Sequence, residues 1–340
     1  MKWLRYIAVL FLSILPVPLS AEELDMDEYL YGHVLDSYEW HITTVNGHPV
    51  SIPLPVIVHS KTTGWHVFSS RHLEEGPYEG FYLVHDPETH KERIMEQTPD
   101  GDVRPLDISI TKNVAGLMFN SLVLVLLILI GARWYKKHDA REEAPGGFAG
   151  LIEMLVSMVE DDIIKPCVGP DYKRYSPYLL TAFFFIFVNN LLGIVPFFPG
   201  GANLTGNIAI TLVLALCTFF TVNLTGTKHY YKEIFAPDVP GFLKPVMPVI
   251  ELFSALMKPV SLTVRLFANM LAGHIMILCI VCVIFIMAKY GPLMSGGMTL
   301  VSVLFGVFLD ILECLVSFIQ AYVFTMLSSI YIGLARQKEE

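Results

Sequence analysis

The chain has 340 residues, of which 54% are hydrophobic and 16% charged, with a mean hydropathy of +0.54 and a formal net charge of −9. An ordinary soluble domain carries charge on about a quarter of its residues. This composition excludes disorder and a single soluble core, and it fits a polytopic membrane protein.

The charge is unevenly placed. Residues 1–20 carry Lys2 and Arg5 and no acid, residues 21–112 hold 17 acids against 6 bases, and residues 113–340 hold 15 of each. An acidic segment therefore precedes a membrane body. The basic start, the apolar run Tyr6 to Leu15 and the stretch Leu19-Ser20-Ala21 predict a signal peptide over residues 1–21. Leu19 is larger than a cleavage site favours, which leaves an uncleaved anchor as the alternative. Either form sends the following segment outward.

Residues 22–112 form the expected exported segment. Tyr29 to Trp40 suits a short helix, and Val50 to Val58 and Trp65 to Phe68 have the β-branched and aromatic content of strands. Phe81 to Val84 and Lys91 to Met95 read as a hairpin around Asp86-Pro87. A small α+β or all-β unit is predicted. It holds eight of the eleven histidines, but their spacing is not that of a metal site, and no metal is expected. All five cysteines lie in the body, so this segment has no disulfide. Cys279 and Cys282 sit in an unbroken apolar run and read as packing residues.

The body, residues 113–340, opens with a span from Val114 to Ala132, followed by Arg133, Lys136, Lys137 and Arg141. That basic cluster belongs in the cytoplasm, so the span runs inward. Phe148 to Ile164 is amphipathic and predicts a helix along the inner interface. The second span runs from Pro177 to about Phe198 and the third from Asn207 to Leu224. Val246 to Ala288 and Met298 to Ala335 each approach 40 residues, or about 60 Å of helix, twice the hydrocarbon thickness. Neither offers a turn signal near its middle. The expected fold is thus an all-α polytopic membrane protein of five transmembrane helices, the last two long and steeply inclined, behind a small exported N-terminal unit. Thirteen bases fall in the inner segments and Lys289 alone in the outer loops, which leaves the C-terminus inside.

Several residues in the last two stretches are costly in a membrane. Arg265 stays charged, and a charge there costs about 3 kcal/mol on insertion scales. It needs water, an anion or a salt bridge, and Asp310 and Glu313 are the internal candidates. Ser261, Arg265 and Asn269 are four apart and share a stripe. His274 stands nine residues beyond Arg265, about 180° round the helix and about 13 Å along it. Asp310, Glu313, Ser317 and Gln320 line a second stripe on the last helix. His274 and Glu313 suit a proton relay, an imidazole beside a carboxylate. Such sets mark ion or proton paths.

Lys258-Pro-Val-Ser-Leu-Thr-Val-Arg265-Leu-Phe-Ala-Asn269-Met-Leu-Ala-Gly273-His274 resembles the signature of subunit a of F-type ATP synthases. Asn190-Leu-Leu-Gly-Ile-Val-Pro196 and Gly206-Asn207-Ile-Ala-Ile-Thr211 resemble its second and third spans, and Gln320-Ala-Tyr-Val-Phe324 its last helix. The resemblance covers most of residues 113–340. It departs at Ala268, where glycine is frequent, and at His274 and Glu313, which are exchanged relative to many bacterial members, as in mitochondrial ones.

The resemblance implies a proton-channel domain over residues 113–340. Arg265 would face the carboxylates of a rotating c-ring, with Asn269, Gln320 and Ser261 orienting its guanidinium. His274, Glu313 and Asn190 would line an outer half-channel and Glu251 an inner one. It also implies b-type peripheral stalk subunits and membrane lipid as partners and a bacterial inner membrane. His274 and Glu313 favour protons as the ion, with sodium as the alternative that the ring decides. No cofactor, catalytic residue or nucleic acid is implied, and the chain has no Gly-rich phosphate loop. A secondary ion-coupled transporter with its own substrate site is the alternative, and the halves show no matching motifs to support it. A non-transporting scaffold would leave Arg265 without a reason.

Overall fold

The structure is a computed structural model that describes residues 35–45, 48–74, 76–86, 92–98, 101–138, 143–195, 200–235, 244, 246–288 and 292–337. The signal peptide, the first half of the expected 29–40 helix and the Asp86-Pro87 turn beyond Asp86 lie outside them. The amino-terminal unit is built of strands β1 (Glu39–Val45), β2 (His48–Pro53), β3 (Pro55–Ser60), β4 (Gly64–Ser69), β5 (Phe81–His85), β6 (Glu92–Thr98), β7 (Gly101–Val103) and β8 (Leu106–Asp107), with one short helix α1 (Arg71–Glu74). β1 and β2 form a hairpin, and the other strands form two three-stranded antiparallel sheets, β4-β3-β8 and β5-β6-β7. Alternation in β3 buries Val56 and Val58 against Phe68, Phe81 and Ile94. Ser60 ties the two sheets by donating to the buried Glu96 carboxylate at 2.6 Å.

Two expectations for this unit are corrected. Residues 35–38 are not helical, and Glu39 and Trp40 begin β1, where Trp40 pairs with Ile52. The 50–58 strand is two strands, interrupted at the buried Leu54, whose N–H bonds the Ser70 hydroxyl instead of a ladder. The 81–95 hairpin is present as β5 and β6 in antiparallel register.

The body consists of α2 (Lys112–Tyr135), α3 (Gly147–Met158), a π-helical turn (Val159–Ile164), α4 (Lys165–Val168), a 3₁₀ turn (Gly169–Asp171), α5 (Tyr172–Ile194), α6 (Ile208–Thr225), α7 (Lys228–Phe235), α8 (Met247–Ala288) and α9 (Pro292–Arg336). Among the described residues, five helical runs are long and apolar enough to cross a membrane. The expected interfacial helix and second span follow one another with only the π turn, the short α4 and the 3₁₀ turn between them. Pro166 stands just past the π turn, and its missing N–H removes the donor an α-helix would offer the Asp162 carbonyl. α8 and α9 are unbroken, at 42 and 45 residues. These are helices of about 63 and 68 Å, not hairpins.

The core of the body lies where α5, α6, α8 and α9 meet, around Leu179, Phe183, Ala215, Leu266 and Phe324. α9 runs antiparallel to α5. Phe318 meets Phe183 and Phe187 edge-on, and Arg336, at the end of α9, pairs with Asp171 at the start of α5. Arg336 also donates to the Thr225 carbonyl, which clips the end of α6 into the same knot. α2 buries mainly small and polar residues, Asn113, Gly116, Asn120 and Gly131 among them, and Asn120 donates to Asn189 of α5 at 3.0 Å.

The β unit is fastened to the body at the start of α2. Thr111 makes no side-chain cap. The Asp36 carboxylate instead accepts from Asn113 N–H at 2.9 Å and the Ser37 carbonyl accepts from Lys112 N–H at 2.9 Å. A carboxylate also suits the positive end of the helix dipole. Trp40, 7% exposed, packs beside them on Ala202 and Leu204. Trp40→Ala is expected to cost about 3 kcal/mol at this joint. Limited proteolysis of the assembled protein checks it, the β unit becoming cleavable while the helices stay protected.

Candidate functional site

The centre of α8 is two-faced. Leu262, Leu266 and Met270 are buried, while Ser261, Arg265 and Asn269 fall on the exposed stripe as their four-residue spacing requires. Among the described residues Arg265 makes no ion pair, and neither Asp310 nor Glu313 reaches it. The internal salt bridge is therefore absent. The side chain points away from the bundle, among exposed apolar neighbours such as Val260 and Val264.

Gln320 sits opposite on α9, 4% exposed, and its Nε2 donates to the Arg265 carbonyl at 2.7 Å. Sequence reasoning assigned this amide to the guanidinium. It holds the main chain instead, and so fixes where on α9 the Arg265 turn of α8 is seated. Two turns further along α9, Glu313 is 6% exposed and neither carboxylate oxygen has a hydrogen-bond partner among the described residues. Ser317 Oγ, between them, is equally buried and unpartnered. Exposed Asp310 lies one turn away.

Gly273 is what admits Glu313. A Cβ on it would stand 2.9 Å from Glu313 Oε1 and 3.2 Å from its carboxyl carbon. The carboxylate is thereby laid against α8 at Gly273, the residue before the half-buried His274. Glu313 thus meets α8 at Gly273, and Gln320 meets it two turns away at Arg265. Asn190 is fully buried in α5, accepting from Thr205 Oγ1 at 2.6 Å, and its Nδ2 has no hydrogen-bond partner among the described residues. It lies one turn beyond Phe187, which packs on Phe318, so the antiparallel α9 brings it toward the level of Cys314 and Glu313. Glu251 is not part of this group. It lies fourteen residues before Arg265, within electrostatic reach of Lys258 and of Tyr230 on α7.

Sequence reasoning missed Thr205, the partner of Asn190, and the part played by Gly273. Thr205 directly precedes the Gly206-Asn207 motif, which was the available signal. Asn207 itself caps α6, its side chain accepting from Ala209 N–H at 3.0 Å.

Ionisable and amide side chains midway along apolar helices mark membrane proteins that handle ions. A multi-pass protein of that class is what this fold and this arrangement define. Residues 117–333 match the family described as ATP synthase A chain, and residues 29–109 match a domain of unknown function. The chain is 41% identical over 239 residues to an ATP synthase subunit a of Chlorobium phaeobacteroides, covering 69% of this chain and 67% of the relative. It is 43% identical over 257 residues to ATP synthase subunit a 2 of Prosthecochloris aestuarii, covering 72% and 76%. Against ATP synthase subunit a of Myxococcus xanthus the identity is 38% over 236 residues, covering 68% and 74%. The chain belongs to the ATP synthase A chain family.

Proposed function

We propose that this chain is the proton-translocating stator subunit of the membrane sector of an F-type ATP synthase. In this reading two half-channels meet near Arg265, which faces the carboxylates of a rotating c-ring, and b-type stalk subunits hold the chain still. The β unit and the start of α2 lie outside, the C-terminus lies in the cytoplasm, and α8 and α9 cross a bacterial inner membrane at a steep incline. The carrying observation is the exposed Arg265 guanidinium, without an acid of its own chain among the described residues, halfway along an apolar helix.

A permanent cation there favours the ionised form of a passing carboxylate and lowers its pKa. The carboxylate releases its proton on approach and cannot carry it straight past. Gln320 seats the backbone from which the guanidinium extends. Ser261 and Asn269 flank it on the same stripe and offer a hydroxyl and an amide. Glu313, against Gly273 and beside His274, passes protons between the outer side and the ring, with Asn190 and Ser317 as further polar stations. Glu251 serves the inner side. A proton crossing 100 mV releases about 2.3 kcal/mol, so several pass for each ATP made.

Glu313→Gln keeps the size of the side chain and removes its charge. ATP-driven acidification of everted vesicles is expected to fall at least about tenfold, with the chain still copurifying with a ring of small proteolipids. Undiminished pumping overturns the role of Glu313, and loss of the ring from the purified complex overturns the stator reading. The transporter alternative calls for broken helices around a substrate site, and α8 and α9 are continuous.

A further inference from the structure

A cleft of about 450 Å³ lies where the β unit meets the body. The β unit contributes Asp36, Ser37, Glu92 and Arg104, and the body contributes Asn203, Asn207, Phe267 and Leu271. This volume takes a cluster of waters, not one. Its lining sets polar groups of both parts beside the apolar Phe267 and Leu271. Burial raises the Glu92 carboxyl above its ordinary pKa, so it keeps its proton to higher pH than an exposed glutamate. Two buried polar atoms among the lining residues, Asn203 Nδ2 and Thr111 Oγ1, have no hydrogen-bond partner among the described residues, and Asn203 is only 6% exposed. Such atoms call for water.

The part of α8 that lines the cleft leads toward the groups assigned to the outer half-channel. Phe267, Leu271 and His274 follow at intervals of four and three and share one face of α8. The face that lines the cleft therefore carries His274 one turn on, next in sequence to Gly273, on which the Glu313 carboxylate lies. The loop that supplies Asn203 also supplies Thr205, which holds Asn190. The β unit cannot drift from this position, because Asp36 and Ser37 are bonded to the first amides of α2 and Trp40 is wedged on Ala202 and Leu204.

We propose that the β unit is the roof of an outer vestibule, so that hydrated protons reach His274 and Glu313 through the cleft between Ser37, Arg104 and Asn207. The inference rests on the stator reading and gives a task to a segment whose family has no known function.

The test uses the assembled complex with the five native cysteines replaced by alanine. Ser37→Cys and Arg104→Cys are treated in intact, outer-membrane-permeabilised cells with a membrane-impermeant, cationic methanethiosulfonate, and everted vesicles are then assayed for ATP-driven acidification. Lys61→Cys, on the exposed β3–β4 turn away from the cleft, is the control. Both cleft cysteines are expected to react and to lower acidification about fivefold or more by filling the passage, while the modified control pumps as before. Full reaction at both with unchanged pumping, no reaction from that side, or an equal loss in the control overturns the proposal. Arg265→Ala run in parallel separates the two readings. Its loss of pumping, alongside normal pumping by the modified cleft variants, removes the vestibule alone, whereas normal pumping by Arg265→Ala removes the stator reading beneath it.

Discussion

Arg265→Ala will abolish ATP-driven acidification of everted vesicles while the chain still assembles. Both halves of that result follow from where the side chain is. It lies on the exposed stripe of α8 and makes no ion pair among the described residues, so its removal opens no cavity and strands no acid. Removing an unpaired charge from apolar surroundings relieves a cost of about 3 kcal/mol, so stability holds or rises. Function fails because Ser261 and Asn269, the residues one turn either side, carry no charge, and a neutral side chain cannot bias a passing carboxylate toward its ionised form. Arg265→Lys keeps the charge but loses the planar fork, and it is expected to pump far less than the parent. The measurement is acidification per assembled complex, quantified from the chain and ring recovered together. Pumping by Arg265→Ala at the parental rate would refute the assignment.

Gly333→Ala will cost more than any other single methyl group added to the bundle. A Cβ there would stand 2.0 Å from the Cys167 carbonyl oxygen and 3.0 Å from its carbon, and 3.5 Å from Val168 Cα. These are backbone atoms of α4, which cannot swing aside as the Glu313 side chain can at Gly273. α9 must move off α4, and with it Ile332 and Ala335, both fully buried. Overpacking of this kind costs about 3 kcal/mol or more. The expected outcome is a clear fall in the thermal stability and yield of the detergent-purified complex. Gly296→Ala, in open space near the other end of α9, changes neither. Equal stability of the two variants would show that the close approach of α9 to α4 does not hold the bundle together.

The helices of the body were legible because apolar length is a local property. Val114 to Ala132 needed no partner to be read as a span, and the lack of a turn signal between Leu312 and Tyr322 sufficed to choose one long helix over two short ones. The stripe of Ser261, Arg265 and Asn269 was equally legible, since spacing alone sets it. What escaped depends on who sits opposite. Trp40 was read into a helix from its own neighbourhood, yet it is a strand residue because Ile52 pairs with it and Ala202 and Leu204 receive its ring. The strand break at Leu54 follows from Ser70, sixteen residues away. Gln320 was placed near Arg265, but nothing in its own stretch told that its partner is a main-chain oxygen fifty-five positions earlier. Gly273 read as one more small residue until Glu313 was laid against it.

Since α9 continues without interruption from its contact with the Arg265 carbonyl to Arg336, sixteen residues and about 24 Å further on, it is a stiff rod between those points. In the stator reading proposed above, a sideways push on the Arg265 turn from a neighbour sliding past would be handed along that rod to the knot of Arg336, Asp171 and Thr225. There it would be shared with α5 and α6 instead of being lost in bending. The carboxyl-terminal end of α9 would thus work as an anchorage, and loosening it would let the guanidinium give way under mechanical load with every polar group still in its place.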